Sequence, residues 1–137
     1  MKNLILLFAL VITTLSFSQD HQVKIKGLVT AGQFTSLAMD EVNFQFAMSS
    51  SRGKGGSGPV MHYSVIKKHD GNSGRIENAI QTKKVFKEVQ IWVKQSAGNI
   101  LKYKLSNATI TDYSATFKKG KVAQESFVIN FQSRAKL

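Results

Sequence analysis

From Val23 to Phe131 apolar residues return at every second position, and a period of 2 places alternate side chains on opposite faces of β-strands. Val23 and Ile25 alternate with Lys24 and Lys26, a first strand with one charged face that runs into Gly27. Glu41 to Met48 is the clearest case: Val42, Phe44, Phe46 and Met48 point one way, Asn43, Gln45 and Ala47 the other. Met61, Tyr63 and Val65 form a third set opposed by His62 and Ser64, and Lys67-Lys68 is expected to end it in solvent. Val85 to Gln95 carries Val89, Ile91 and Val93 on one face and Trp92 on the other. Ser96-Ala97-Gly98-Asn99 then makes a tight connection to Leu101, Tyr103 and Leu105, which alternate with Lys102, Lys104 and Ser106. Asn107 to Phe117 continues as a β-branched strand bent at Asn107-Ala108. Lys118-Lys119-Gly120-Lys121 is a basic turn, and a last strand passes through Phe127, Ile129 and Phe131.

One segment leaves this pattern. Ser73 is placed to cap a helix whose Ile76, Ala79 and Ile80 fall at i, i+3 and i+4, with Lys83-Lys84 at its end. Pro59 lies outside every strand in this reading. One short α-helix among about seven strands makes the chain mainly β, an antiparallel β-barrel or two-sheet sandwich with the helix laid beside it.

Ahead of the strands, Met1 to Ser18 reads as a secretory signal peptide. Lys2 precedes an apolar run from Leu4 to Ile12, and Ser16-Phe17-Ser18 supplies a small-x-small cleavage site. The apolar run turns polar too early to span a bilayer. The expected organisation is 1–18 as leader and 19–137 as one domain, secreted or periplasmic, with no membrane span after cleavage. The formal charge of +11 admits polyanionic partners and excludes a dense calcium-binding module. With no cysteine, an exported chain has no disulfide framework, thiol nucleophile or thiolate zinc site, so ordinary packing must hold it together.

No motif in the chain carries catalysis. Gly53-x-Gly55-x-x-Gly58 matches the dinucleotide fingerprint in letters, but Pro59 and a strand follow where a helix N-terminus is required. Gly53-Lys54 is followed by Gly55, where a phosphate-binding loop needs Ser or Thr. His21, His62 and His69 share no metal-ligand spacing. The carboxylates stand singly apart from Asp40-Glu41, whose side chains would point to opposite faces of a strand. The reading is a non-enzyme with no cofactor and no metal. Lys24/Lys26, Lys67/Lys68, Lys83/Lys84, Lys102/Lys104 and Lys118/Lys119/Lys121 are spread over several elements rather than concentrated with aromatics on one sheet face. They suit protected sheet edges first and unspecific polyanion contact second, with no specific nucleic-acid partner.

The order of these phrases resembles the haemolysin-coregulated protein (Hcp) family, the tube component of type VI secretion. Val23 to Gly27, Val42 to Met48 and the glycine-rich loop Ser49 to Pro59 come first. His69-Asp70-Gly71-Asn72-Ser73-Gly74-Arg75-Ile76-Glu77-Asn78-Ala79-Ile80 follows, then Val89-x-Ile91-Trp92, Tyr103-x-Leu105-x-Asn107-Ala108-x-Ile110 and Glu125-Ser126-Phe127-Val128-Ile129-x-Phe131. The resemblance runs from about Val23 to Arg134. It implies a non-enzymatic structural subunit forming homo-hexameric rings that stack into a tube, with sheath, spike and effector proteins as partners. It also implies that a loop of Arg52, Gly53, Lys54, Gly55, Gly56, Ser57 and Gly58 touches the next ring, Arg52 and Lys54 pairing with acids such as Asp40, Glu41 or Asp112. Gly74 stands where the family usually has proline, and the aromatic tail that often follows the last strand is not found before Leu137. The leader adds a choice: a secreted relative whose ring works outside the sheath, or cytoplasmic assembly if the leader is not used. The runner-up is a secreted monomeric basic β-barrel that binds acidic polymers at the cell envelope.

Overall fold

The computed structural model describes residues 21–48 and 59–137. Eight strands and one helix follow in the order β1 His21–Lys26, β2 Phe34–Met39, β3 Glu41–Met48, β4 Pro59–Lys68, α1 Ser73–Gln81, β5 Phe86–Lys94, β6 Ile100–Thr116, β7 Gln124–Asn130 and β8 Ser133–Lys136. All pairings are antiparallel, and the strand path is β2-β1-β5-β6-β7-β4-β3, with β8 also on β6. The mainly β fold with one short helix matches the sequence reading.

The path divides into two half-sheets that share β6. Its first half pairs with β5 and β8, its second with β7. The bend falls at Asn107, whose φ of 51 puts it in the left-handed region, and Asp112 at φ 55 adds a second irregularity in the β6–β7 register. Each extra residue re-phases the alternation. The inward side chains run Leu105, then Ala108 and Ile110, then Tyr113. Strict period 2 along β6 would have turned half of them to solvent.

Between the half-sheets Val23, Ile25, Val65, Val89, Ile91, Leu105, Phe127 and Ile129 are buried, and Phe86, Ile76 and Ala79 seal the side where α1 packs on β6. Ile76 and Ala79 hold the inward positions expected of them. Two strands escaped the sequence reading. β2 carries only Leu37 and Met39 inward from a segment rich in Thr, Ser and Ala, and β8 is four exposed residues, Ser-Arg-Ala-Lys. Pro59 opens β4 and so stands in a strand after all, at the first position, where a missing N–H is tolerated.

The helix ends also differ from expectation. Asn72 is the N-cap residue, while the Ser73 hydroxyl accepts from the Asp70 N–H at 2.9 Å and Asp70 Oδ1 accepts from the Asn72 N–H at 2.9 Å. An Asx turn leading into the helix has replaced the serine cap. At the other end the helix stops at Gln81, before the lysines. The Lys83 N–H donates to Ile80 O and the Lys84 N–H to Ala79 O, the paired bonds of a Schellman motif, with Lys83 at φ 52. Lysine at a left-handed position costs about 1 kcal/mol relative to glycine. Lys83→Gly is therefore expected to raise stability by up to about 1 kcal/mol in urea denaturation, with no change in fold.

Candidate assembly surfaces

The two half-sheets present different outer faces. On the β2-β1-β5-β6-β8 side, strand register sets Trp92 opposite Lys102 and Lys24 opposite Gln90. Lys24 Nζ lies 3.6 Å and Lys102 Nζ 4.1 Å from the centre of the Trp92 ring, so one indole holds two lysines that would otherwise repel. The Trp92 N–H donates to Gln90 Oε1 at 3.0 Å, and the Gln90 amide donates to Glu88 at 2.9 Å. Glu88 is 3.9 Å from Lys104. The face is basic and internally engaged.

The β3-β4-β7-β6 side is different in kind. Its register aligns Asn43 with Ser64, Ser64 with Val128 and Val128 with Thr111, and in the next row Gln45 with His62, His62 with Asn130 and Asn130 with Thr109. These rows carry amides, hydroxyls, one valine and one imidazole, with no acid, lysine or arginine. His62 Nε2 and Gln45 Oε1 are 2.6 Å apart, and Asn130 Nδ2 donates to Thr111 at 2.8 Å.

Among the described residues the ends of the path, β2 and β3, are each paired on one side only. The corner between them is fastened where the Asp40 N–H donates to Ile66 O at 2.8 Å. Exposed aromatics lie on both edge strands: Phe34 on β2 at 41%, Phe44 at 39% and Phe46 at 57% on β3. The apolar face of β3 read in the sequence exists, but its outer half is not covered by the core. Phe44 packs at 5.0 Å on Tyr63, and the Arg134 guanidinium lies over both Phe44 and Tyr103 at 4.0 and 4.4 Å. Arg134 Nη1 also donates to the Tyr63 hydroxyl at 2.9 Å. Burial pushes the Tyr63 hydroxyl above its ordinary pKa, against the pull of that guanidinium.

The expectation that Lys67 ends β4 in solvent is overturned. Lys67 is 1% exposed and Glu125 2%, directly opposite each other on β4 and β7. Lys67 Nζ donates to Glu125 Oε1 at 2.6 Å and to Lys68 O at 2.8 Å, with Asp70 at 3.1 Å. The Tyr113 hydroxyl donates to Glu125 Oε2 at 2.6 Å. Burial, then the carboxylates of Glu125 and Glu77, hold that phenol in its neutral form well above its ordinary range. The network was visible in parity. Lys67 continues the inward series Tyr63, Val65, and Glu125 precedes Phe127, Ile129 on the same phase. Among the described residues no buried side-chain polar atom lacks a partner.

The loop of Arg52 to Gly58 lies outside the described residues, so its contacts stay with the sequence reading. Its presumed partners Asp40 and Glu41 are exposed at the start of β3, and Asp112 is exposed at the bulge of β6. The histidines are placed apart: His21 Nδ1 accepts from the Lys94 N–H, His62 meets Gln45, and His69 sits edge-on to Phe117. Among the described residues no group of His, Asp and Glu is arranged to hold a metal, and no helix is long and apolar enough to cross a membrane.

Residues 21–135 match the family model described as "Type VI secretion system effector, Hcp". The chain belongs to the Hcp family. No curated protein matches it by sequence. Solved Hcp-type structures share its fold: a type VI secretion system effector from Yersinia pestis at TM-score 0.66 and 16% identity, covering 85% of this chain and 88% of that one. Hcp1 from Salmonella typhimurium aligns at TM-score 0.65 and 12% identity, over 85% of each chain. A chain from the baseplate of the anti-feeding prophage aligns at TM-score 0.57 and 11% identity, over 89% of this chain and 95% of that one. At such identities the likeness is one of fold, while most side chains differ.

Proposed function

We propose that this Hcp-family chain is a non-enzymatic tube-type subunit that closes head to tail into hexameric rings. The observation that carries the reading is the pair of unlike edges, β2 and β3, each singly paired among the described residues and each bearing exposed aromatics. Unlike edges favour heterologous contact, which closes into a ring when the rotation per copy allows. Exposed strand edges with aromatic side chains are otherwise an aggregation hazard, and ring closure covers them. Family membership supports the tube-like role. The polar face, charged only near its Glu41 and Lys68 end, and the basic face would then be segregated, one towards a channel and one away from it. Export through the 1–18 leader, stacking of rings and carriage of effectors are parts of the same proposal.

The test is native mass spectrometry and solution scattering on residues 19–137 over a concentration series. A sixfold mass appearing with concentration is the expected result. A chain that stays monomeric at high concentration overturns the reading. It would favour instead the monomeric basic barrel, for which the lysine-rich face around Trp92 is the supporting observation.

A further inference from the structure

The hairpin joining β6 to β7 ends in Phe117-Lys118-Lys119-Gly120-Lys121-Val122-Ala123, a tip that takes no part in the core. Phe117 is 69% and Val122 66% exposed, the two most exposed large apolar side chains among the described residues. Three exposed lysines stand between them, and no acid occurs from Tyr113 to Gln124. A hollow of about 420 Å³ opens at the tip, lined by Thr116, Lys118, Lys121, Val122 and Gln124. We propose that this tip docks the protein on an anionic phospholipid surface, the lysines and the hollow taking headgroup phosphates while Phe117 and Val122 enter the acyl boundary.

Three observations support the assignment. The tip is ordered before any partner arrives: the Lys121 N–H donates to Lys118 O at 3.1 Å, Gly120 supplies the turn with φ 76, and the His69 N–H donates to Ala123 O at 2.9 Å. A preformed turn loses little conformational freedom on docking. The lysines at the tip also differ from those of the sheet face. Lys24 and Lys102 lie on Trp92 and Lys104 approaches Glu88, whereas Lys118, Lys119 and Lys121 make no ion pair among the described residues. Of the acids nearby, Asp70 is engaged by Lys67 at 3.1 Å, and Asp40 and Glu41 stand at the same end of the sheet but at the start of β3, two strands away. Lys68 lies opposite Gln124, His69 sits edge-on to Phe117, and Glu125 is turned inward onto Lys67. Lastly, the apolar pair decides the class of partner. A soluble polyanion offers charge alone, but a bilayer with anionic lipid places charge and an apolar layer within a few ångströms of each other.

The inference does not rest on ring assembly. Co-sedimentation with vesicles of phosphatidylcholine alone, and of phosphatidylcholine mixed with phosphatidylglycerol, tests it at both ends of the concentration series used for scattering. The protein is expected on the mixed vesicles only. Replacing Lys118, Lys119 and Lys121 with Gln is expected to weaken partitioning about 100-fold, at roughly fivefold for each lysine. Phe117→Ser with Val122→Ser is expected to weaken it at least about tenfold, and Lys24→Gln with Lys102→Gln much less than either. All these side chains lie outside the core, and circular dichroism verifies the fold of each variant. Equal losses from the tip and sheet-face variants would overturn the proposal in favour of general polycation adsorption. So would indifference to the serine variants together with equally tight binding of inorganic polyphosphate or nucleic acid. A protein that ignores mixed vesicles, or whose tip variants change only self-association, overturns it as well.

Discussion

Lys67→Ala is expected to destabilise the fold by about 3–5 kcal/mol, because it leaves the buried Glu125 carboxylate without its counter-ion, and Glu125→Ala by less, because Lys67 keeps Asp70 at 3.1 Å. Lys67 and Glu125 are almost wholly buried and bonded at 2.6 Å, so neither stranded group can reach water without opening the β4–β7 pair. Domains of this kind have total stabilities of about 5–15 kcal/mol, so the Lys67 variant would be substantially weakened. The pair need not add net stability of its own. Desolvating two ions offsets much of their attraction, and the double variant Lys67→Met, Glu125→Leu is expected to recover most of the loss. Tyr113 then loses its acceptor, but it is half-buried and can turn to solvent. Urea denaturation of the two single variants and the double variant gives the coupling energy directly. A Lys67→Ala cost below about 1 kcal/mol would mean that the pair is solvated and marginal.

Deleting Arg52 to Gly58 is expected to leave rings intact and to abolish stacking between them. β3 spans eight residues from Glu41 to Met48, about 25 Å of strand. The β3–β4 connection leaves from the Met48 and Pro59 end, while Asp40 and Glu41 stand at the opposite end. In the proposed stacking the connection carrying Arg52 and Lys54 would meet Asp40 and Glu41 of the next ring, at the end where Lys118, Lys119 and Lys121 also stand. Each exposed pair contributes roughly 0–1 kcal/mol, and sixfold symmetry repeats it around every junction. Asp40→Lys with Glu41→Lys should have the same effect as the deletion. Electron microscopy of the purified rings, with and without added salt, separates tubes from single rings. A deletion that breaks the ring itself would show that the loop belongs to the lateral contact.

Where side chains alternate on a regular strand, the sequence was enough to read the fold. The inward series of β1, β5 and β7, and the helix face of Ile76 and Ala79, are placed as the residues require. β2 and β8 were missed because strand pairing, not hydrophobicity, holds them. β2 turns only two large side chains inward, and β8 is exposed throughout, held through β6 and through Arg134. The buried Lys67 was missed for another reason. Its charge argues for solvent, while its phase, shared with Tyr63 and Val65, argues for the core. The edge aromatics were legible as an apolar excess on β3, but which edges stay unpaired depends on strand order, which alternation does not encode. The charge contrast between the outer faces likewise exists only once register brings Lys24, Trp92 and Lys102 together from three strands.

The long strand β6 belongs to both half-sheets, with its bend at Asn107 marking where one partner is exchanged for another. Neither half can therefore melt alone: opening the β7 side frees a strand that the β5 side still needs. The two halves should behave as one cooperative unit, with amide protons in the middle of β6 among the last to exchange. A subunit of that kind can be pushed hard at one end and carry the load through to the other without coming apart between its halves.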